Sequence, residues 1–234
     1  MSLKKNLLEL SEKIESLSPV EGLGLLADLF PGKVVFSTSL GQEDQVITQL
    51  IADYHLPIHI FTLDTGRLFS ETLDLLARTE SRYKKRIQVY YPDREDIEDL
   101  VQKQGINGFY DSVENRKSCC YIRKVAPLKR ALQGNSIWIT GLRGEQSANR
   151  SSMKKLEWDE ANQIIKYNPL LDWSFDEMLA YISAHNIPYN PLHDKGFISI
   201  GCAPCTRAIL PGEDARAGRW WWEDSKKECG LHAK

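Results

Sequence analysis

The chain has 234 residues, 42% of them hydrophobic and 26% charged, and a formal net charge of −2. That is apolar residue enough for one large core, and too little charge imbalance to mark a nucleic-acid or membrane-surface binder. No run approaches the roughly 20 apolar residues of a membrane span. Leu3 to Leu17 intersperses Lys4, Lys5, Glu9, Glu12, Lys13 and Glu15 where a secretory signal would be uniformly apolar, so a soluble cytoplasmic protein is expected.

Short β-rich runs alternate with helical patterns through the first half. Val34 to Thr38 reads as a strand, followed by Val46, Ile47, Leu50 and Ile51 at helical spacing. Ile58 to Leu63 is a second strand. Leu68 to Tyr83 is helical, with Leu73, Leu76 and Ala77 expected on its apolar face. Ile87 to Tyr91 is a third strand, ended by Pro92, and Asp93 to Gln104 suits a helix. Lys124 to Leu132 is helical and Ser136 to Thr140 a fourth strand. Gln163 to Leu170 is a further strand, and Ser174-Phe-Asp-Glu177 is a capping box opening a helix to about His185. This order predicts an α/β fold with a mostly parallel sheet covered by helices on both faces.

In such sheets ligands sit at the carboxyl ends of the strands. Three of these ends are polar here. Ser37-Thr-Ser-Leu-Gly-Gln-Glu-Asp44 follows the first strand, and can present backbone N–H groups to an anion or simply cap the next helix. Leu63-Asp-Thr-Gly-Arg67 and Thr140-Gly-Leu-Arg-Gly-Glu-Gln-Ser147 each join a turn glycine to an arginine. Together the three loops predict a shared phosphate site.

Four cysteines form two pairs, Cys119-Cys120 and Cys202-Ala-Pro-Cys205; Cys229 stands alone. In a reducing compartment, clustered cysteines are metal ligands or catalysts more often than disulfides. Zinc is the simplest occupant of four thiolates. Adjacent thiolates, however, crowd two corners of one tetrahedron, and ligate two irons of a larger cluster more easily. The spacing therefore points to a four-iron cluster before zinc, with a Cys202–Cys205 disulfide behind both. Cys229 is either incidental or a nucleophile whose pKa Lys226, Lys227 and His232 would lower and Glu228 would raise. Arg207, Arg216 and Arg219 read as an anion clamp or a solvated face. Trp220-Trp221-Trp222 is expected to dock on the domain or a partner, with at least one ring in the core.

These motifs, with Cys119-Cys-Tyr-Ile-Arg-Lys124, Arg216-Ala-Gly-Arg-Trp-Trp-Trp222 and Glu228-Cys-Gly-Leu-His232, resemble the assimilatory adenylyl-sulfate reductases, the iron–sulfur branch of the APS/PAPS reductase family. The resemblance covers nearly the whole chain. It implies an adenine-nucleotide α-hydrolase-like fold related to the ATP pyrophosphatases. It also implies a [4Fe-4S] cluster on Cys119, Cys120, Cys202 and Cys205, and Cys229 as nucleophile. By the same match Ser37, Thr38, Ser39, Leu63 and Gly141 would hold the nucleotide, Lys124, Arg143, Arg216 and Arg219 would stabilise charge on the leaving phosphate, and His232 would tune Cys229. The implied reaction is thioredoxin- or glutaredoxin-dependent reduction of adenosine 5′-phosphosulfate (APS) to sulfite and AMP, in sulfate assimilation and cysteine biosynthesis. Residues 1–205 would form the nucleotide-binding domain with the cluster, and 206–234 a mobile catalytic tail.

The same chemistry on 3′-phosphorylated APS (PAPS), or on both nucleotides, is an alternative, although most PAPS-specific members lack the cluster cysteines. An ATP-dependent thiolase of the related fold would need a Ser-Gly-Gly-x-Asp-Ser loop, from which Ser37–Asp44 departs. A non-catalytic metal module would make Cys229 dispensable. No nucleic acid or membrane partner is expected, and a homo-oligomer is left open.

Overall fold

The computed structural model of the protein describes residues 3–146 and 153–223. Cys229 and His232 lie outside the described residues, as does Ser147. Nine-residue α1 (Leu7–Glu15) is followed by α2 (Pro19–Leu29), β1 (Val34–Thr38), α3 (Gln42–Asp53), β2 (His59–Leu63), α4 (Ser70–Tyr83), β3 (Gln88–Tyr90) and α5 (Arg94–Gln104). Then come α6 (Val113–Cys120), α7 (Ala126–Leu132), β4 (Ile137–Ile139), β5 (Leu156–Asp159), β6 (Ile164–Tyr167) and α8 (Phe175–Ala184). The chain folds into two compact units.

The first unit comprises Met1–Thr62, Glu71–Gln88 and Gly134–Asn190. A six-stranded sheet runs in the order β3-β2-β1-β4-β6-β5. β1 pairs in parallel with β2 and β4, and β4 with β6, whereas β5 closes the edge antiparallel to β6. The chain steps outward from β1 to β2 and β3, then reverses to β4 and β6. With right-handed crossovers that reversal puts helices on both faces, and its switch point lies between β1 and β4. The core between the layers includes Phe36, Ile47, Ile51, Ile60, Ile137, Ile139 and Ile165, each 1% exposed or less. These near-continuous apolar strands are what a doubly covered parallel sheet requires.

Helix starts follow their capping residues. Ser18 and Glu21 form a reciprocal box at α2, with Pro19 in the first turn, and Ser174 and Glu177 form another at α8. Each cap is worth about 1 kcal/mol. Two sequence expectations need correction. The buried face of α4 carries Thr72, Leu75 and Thr79, while Leu73 is 43% exposed and Ala77 is exposed. The buried stripe is partly polar because Thr79 satisfies its hydroxyl on Leu75 O and receives Gln45 Nε2, so a count of apolar letters finds Leu76, which packs on the core, and misses the threonines beside it. Second, β5 is a strand in a stretch with no predicted element. Its Leu156-Glu-Trp-Asp159 alternates apolar and polar residues over four positions only, too short a run to stand out, and Glu157, opposite Lys166, forms an ion pair with it at 2.7 Å.

The second unit comprises Leu63–Ser70, Val89–Gln133 and Pro191–Lys234. Its helix begins well before the predicted Lys124. Ser112 caps α6 by accepting Asn115 N–H at 3.0 Å, and the polar run from Glu114 to Ser118 hides the helix from an apolar pattern. Between α6 and α7 lies a π turn, Tyr121–Val125, closed by Ala126 N–H on Tyr121 O. The core of this unit is partly sulfur. Phe109, Cys120, Cys202, Cys205 and Trp220 are buried together, with Cys119 and Trp222 packed on them. Trp220 is 1% exposed, as expected of at least one ring of the triplet, and Trp221 is 41% exposed. Among the described residues, no helix is long and apolar enough to cross a membrane.

Candidate functional site

Cys119, Cys120, Cys202 and Cys205 line one cavity of the second unit, and all four are free thiols. α6 and the π turn supply Arg116, Cys119, Cys120, Arg123 and Lys124 to its wall. That spacing of i, i+3, i+4, i+7, i+8 is one helical face. The second pair sits on a tight turn in which Cys205 N–H bonds Cys202 O at 2.9 Å. Thr206 clamps this turn, its Oγ donating to Cys202 O at 2.9 Å and accepting Gly201 N–H at 3.1 Å. Tyr110 Oη donates to Pro204 O at 2.6 Å.

The loop after β2 serves the same cavity. Thr65 Oγ1 lies 3.3 Å from Cys202 Sγ, and Arg123 Nη1 donates to Thr65 O at 2.6 Å. Ala203 N–H bonds Arg67 O at 2.8 Å. Gly66 has a φ of +69°, which only glycine adopts without strain, and lets the chain turn there. Arg67 also lines the cavity, 5.1 Å over the Phe109 ring.

Four cations, Arg67, Arg116, Arg123 and Lys124, therefore face four thiols. Burial raises the Cys119 thiol, opposed by Arg123, and pushes the Cys205 thiol up to about 12, with Cys202 and Cys120 adding repulsion. For Cys202 burial acts upward too, but Lys124, the Thr65 hydrogen bond, Arg219 and Arg123 outweigh it and hold the thiol below its usual range. Among the described residues no group of three or more His, Cys, Asp or Glu is drawn together around a single metal ion. The donor set itself, four soft sulfurs from two pairs, suits an iron–sulfur group or zinc. Arg123 Nε and Arg219 Nε are buried with no hydrogen-bond acceptor among the protein atoms, as expected where an anionic group belongs beside them.

In the first unit, the loops after β1 and β4 meet at the switch point. Asp44, in the first turn of α3, accepts hydrogen bonds from Ser39 N–H at 2.6 Å and Ser39 Oγ at 2.7 Å. Leu40 is held at a φ of +61°, its N–H on Thr38 Oγ1 at 3.0 Å. Backbone strain of this kind gathers at ligand-binding loops. Ser37 Oγ accepts Trp138 Nε1–H at 2.8 Å. Gly141 sits against Asp44, where a Cβ would come within 2.0 Å of Oδ1. Arg143 is 4% exposed, donates Nε to Glu43 Oε1 at 2.8 Å and lies 5.4 Å over the Phe175 ring.

Burial pushes the Asp44 carboxyl up to about 6 from 3.8, Glu43 adding to it against the Ser39 hydrogen bonds. Because the folded pKa is raised, the folded chain binds more protons than the unfolded one, and stability falls as pH rises through this window. The shift corresponds to about 3 kcal/mol between pH 4 and 7. Unfolding free energies from the slowest amides of β1 and β4, measured in wild type and Asp44→Asn, should converge or cross toward the variant by about this amount as pH rises. A difference independent of pH would remove the perturbed titration.

The structure thus groups the expected site residues by unit. Cys119, Cys120, Cys202, Cys205 and Lys124 share one cavity. Leu63, half-buried Arg216 and buried Arg219 belong to the same unit; Arg219 lies 4.6 Å over the Trp220 ring and reaches Ser199 Oγ at 3.3 Å. Arg207 is paired with Glu213, whose carboxyl it holds down to about 2. Ser37, Thr38, Ser39, Gly141 and Arg143 belong to the first unit. Three residues at the cysteines were not singled out from sequence: Arg116, Arg123 and Thr65. The first two complete the i, i+3, i+4, i+7, i+8 face and were legible there; Thr65 carries no local signal.

Residues 33–208 match the model of the phosphoadenosine phosphosulfate reductase domain. The chain is 57% identical to an adenosine 5′-phosphosulfate reductase of Allochromatium vinosum, over 86% of this chain and 79% of the relative. It is 53% identical to one of Sinorhizobium fredii, over 99% and 92% respectively. Among solved structures, the phosphoadenylyl-sulfate (PAPS) reductase of Candida auris, in a phosphate complex, superposes with a TM-score of 0.74 at 28% identity, covering 88% of this chain and 97% of that one. An FMN adenylyltransferase of Candida glabrata bound to FAD and pyrophosphate, 16% identical at a TM-score of 0.55 over 99% of this chain and 85% of its own, shares the fold.

Proposed function

Since the chain belongs to the phosphoadenosine phosphosulfate reductase family, we propose that it reduces APS to sulfite and AMP in sulfate assimilation. The observation that carries this reading is the convergence of two cysteine pairs and Lys124 on one cavity, in a chain more than half identical to reductases named for APS. Cys119, Cys120, Cys202 and Cys205 would hold a [4Fe-4S] cluster, with Arg67, Arg116, Arg123 and Lys124 offsetting its negative charge. Bound there, it would supply a fixed anionic centre that orients Lys124 and shapes the local field.

Sulfate becomes a competent electrophile when joined to phosphate, because AMP can leave. The Cys229 thiolate attacks the sulfuryl sulfur, an S–S bond forms, and the S–O bond to AMP breaks with its electron pair on the phosphate oxygen. Lys124, Arg143, Arg216 and Arg219 are the cations proposed to stabilise that charge, and His232 to position Cys229. The Ser37–Ser39 loop, Leu63 and Gly141 would hold the nucleotide, where strained backbone and the Asp44 carboxylate fix the loop. A thioredoxin or glutaredoxin thiolate then attacks Cys229 Sγ and expels sulfite with the bonding pair. The donor's second thiol resolves the mixed disulfide, so the donor is oxidised by two electrons and Cys229 returns as thiolate.

Reduced protein incubated with APS or PAPS, without thioredoxin, tests the reading by intact mass and peptide mapping. One sulfonate on Cys229 from APS alone is expected. Equal labelling by PAPS would make this a dual-substrate reductase. No adduct from either, or an adduct on another cysteine, would sink the mechanism.

A further inference from the structure

We infer that Glu223 is a positioning residue for the nucleophile, through a buried latch to the helix that carries the first cysteine pair; this rests on the reading of Cys229 as nucleophile. Arg116 stands on α6 three and four residues before Cys119 and Cys120 and lines their cavity. Its guanidinium grips Glu223 with two hydrogen bonds, Nε to Oε2 at 3.2 Å and Nη2 to Oε1 at 2.6 Å. The two side chains are 3% and 5% exposed. The same guanidinium lies 4.7 Å over the Trp220 ring, which Arg219 approaches at 4.6 Å.

The segment is anchored to the second cysteine pair as well. Trp220 N–H bonds Cys205 O at 3.3 Å, Glu223 N–H bonds Trp220 O at 3.1 Å, and Arg219 bridges Thr206. Trp220 takes a φ of +42°, unfavourable for a bulky residue and held only because its surroundings fix it. A buried ion pair adds little net stability over apolar packing, so what this one chiefly fixes is geometry. A bidentate arginine–carboxylate pair fixes direction as well as distance.

Glu223 stands six residues before Cys229 in the sequence. Six residues reach at most about 20 Å. The latch therefore pivots the nucleophile on the element that bears the cysteines. With Glu223 released, the pivot retreats to Trp222, packed on Phe109 and Tyr110 and seven residues away, and the volume open to Cys229 grows about 1.6-fold before any loss of direction is counted. KM should be untouched, because no nucleotide contact is removed.

The test compares wild type, Glu223→Gln and Glu223→Asp by iron content, visible spectrum, APS dissociation constant, amide exchange and single-turnover sulfonation of Cys229. Glu223→Gln should keep iron, spectrum and APS affinity, exchange faster at the Trp220 and Glu223 amides, and sulfonate Cys229 about two- to fivefold more slowly, with Glu223→Asp between. Faster exchange with an unchanged sulfonation rate would make the pair structural only and overturn the inference. Iron loss in both variants would assign Glu223 to the cysteine cavity and overturn it too. An unlabelled wild type would bring down the nucleophile reading and this inference together.

Discussion

Serine at Cys120 or Cys205 should leave the purified protein pale, with well under half the iron of wild type, and at least about 100-fold less active. Loss of a partner in the outer shell of a metal site commonly costs 10- to 100-fold, and loss of a ligand should exceed that. Serine offers a hard oxygen where soft sulfur is needed. Both side chains are 8% exposed and belong to the core of the second unit. A hydroxyl buried there without a partner costs a further 1–3 kcal/mol or so. Anaerobically purified wild type should hold about four irons and four sulfides per chain. Cys229→Ser, by contrast, should keep its colour and iron and lose turnover, separating ligand from nucleophile. A colourless wild type holding one zinc, or a Cys205→Ser protein with full iron, would reject the cluster.

Alanine at Gly141 should lower kcat/KM for APS by about 100-fold while leaving the second unit intact. Its Cβ would fall 2.0 Å from Asp44 Oδ1, 3.1 Å from Cγ and 3.3 Å from the Asp44 backbone nitrogen. Asp44 cannot swing away without releasing Ser39, whose N–H and hydroxyl it holds. Its backbone is committed to the first turn of α3. The strain must therefore shift the β1 loop or the β4 loop. Overpacking of this kind costs about 1–3 kcal/mol, and displacing a positioning loop by about 1 Å can cost 100-fold in rate. Gly141→Ala made in an Asp44→Ala background should cost much less than in wild type, because the two nearest obstructing atoms, Oδ1 and Cγ, are gone. Normal APS kinetics for the single variant would show that the two loops adjust independently. Iron content, expected unchanged, confirms that the effect arises in the first unit.

Elements whose signals are local were legible in the sequence. β1 was bounded to the residue by its apolar run, and α8 by Ser174 and Glu177. The start of α6 was not, because Glu114 to Ser118 shows no apolar period and only the Ser112 cap announces it. β5 was missed because its alternation spans only four positions, and the pairing of its Glu157 with Lys166 on the neighbouring strand is set by register. The cysteine pairs could be read as one set from their chemistry, yet Glu223 could not be joined to Arg116, 107 residues away, by any local rule. Arg143 was legible as a cation at a strand end; its hydrogen bond to Glu43 became visible only with both loops in place.

The π turn at Tyr121–Val125 bears on how this site could be gained, lost or transplanted. A turn closed by an i→i+5 bond holds one residue more than an α turn, and each residue of an α-helix carries 100° of rotation. The buried stripe of α7, Pro127, Leu128, Ala131 and Leu132, is therefore phased one residue out of step with the cysteine-bearing face of α6. Deleting a single residue from this turn would restore an unbroken α-helix, leave every ligand in the sequence and keep α6 and α7 facing as they do, while moving Arg123 and Lys124 out of their places beside the cysteine pair. In an alignment such a chain would show one small gap beside two intact cysteines. Counting ligands would score it as competent, and only the length of the segment between Cys120 and Pro127 would reveal the displaced cations.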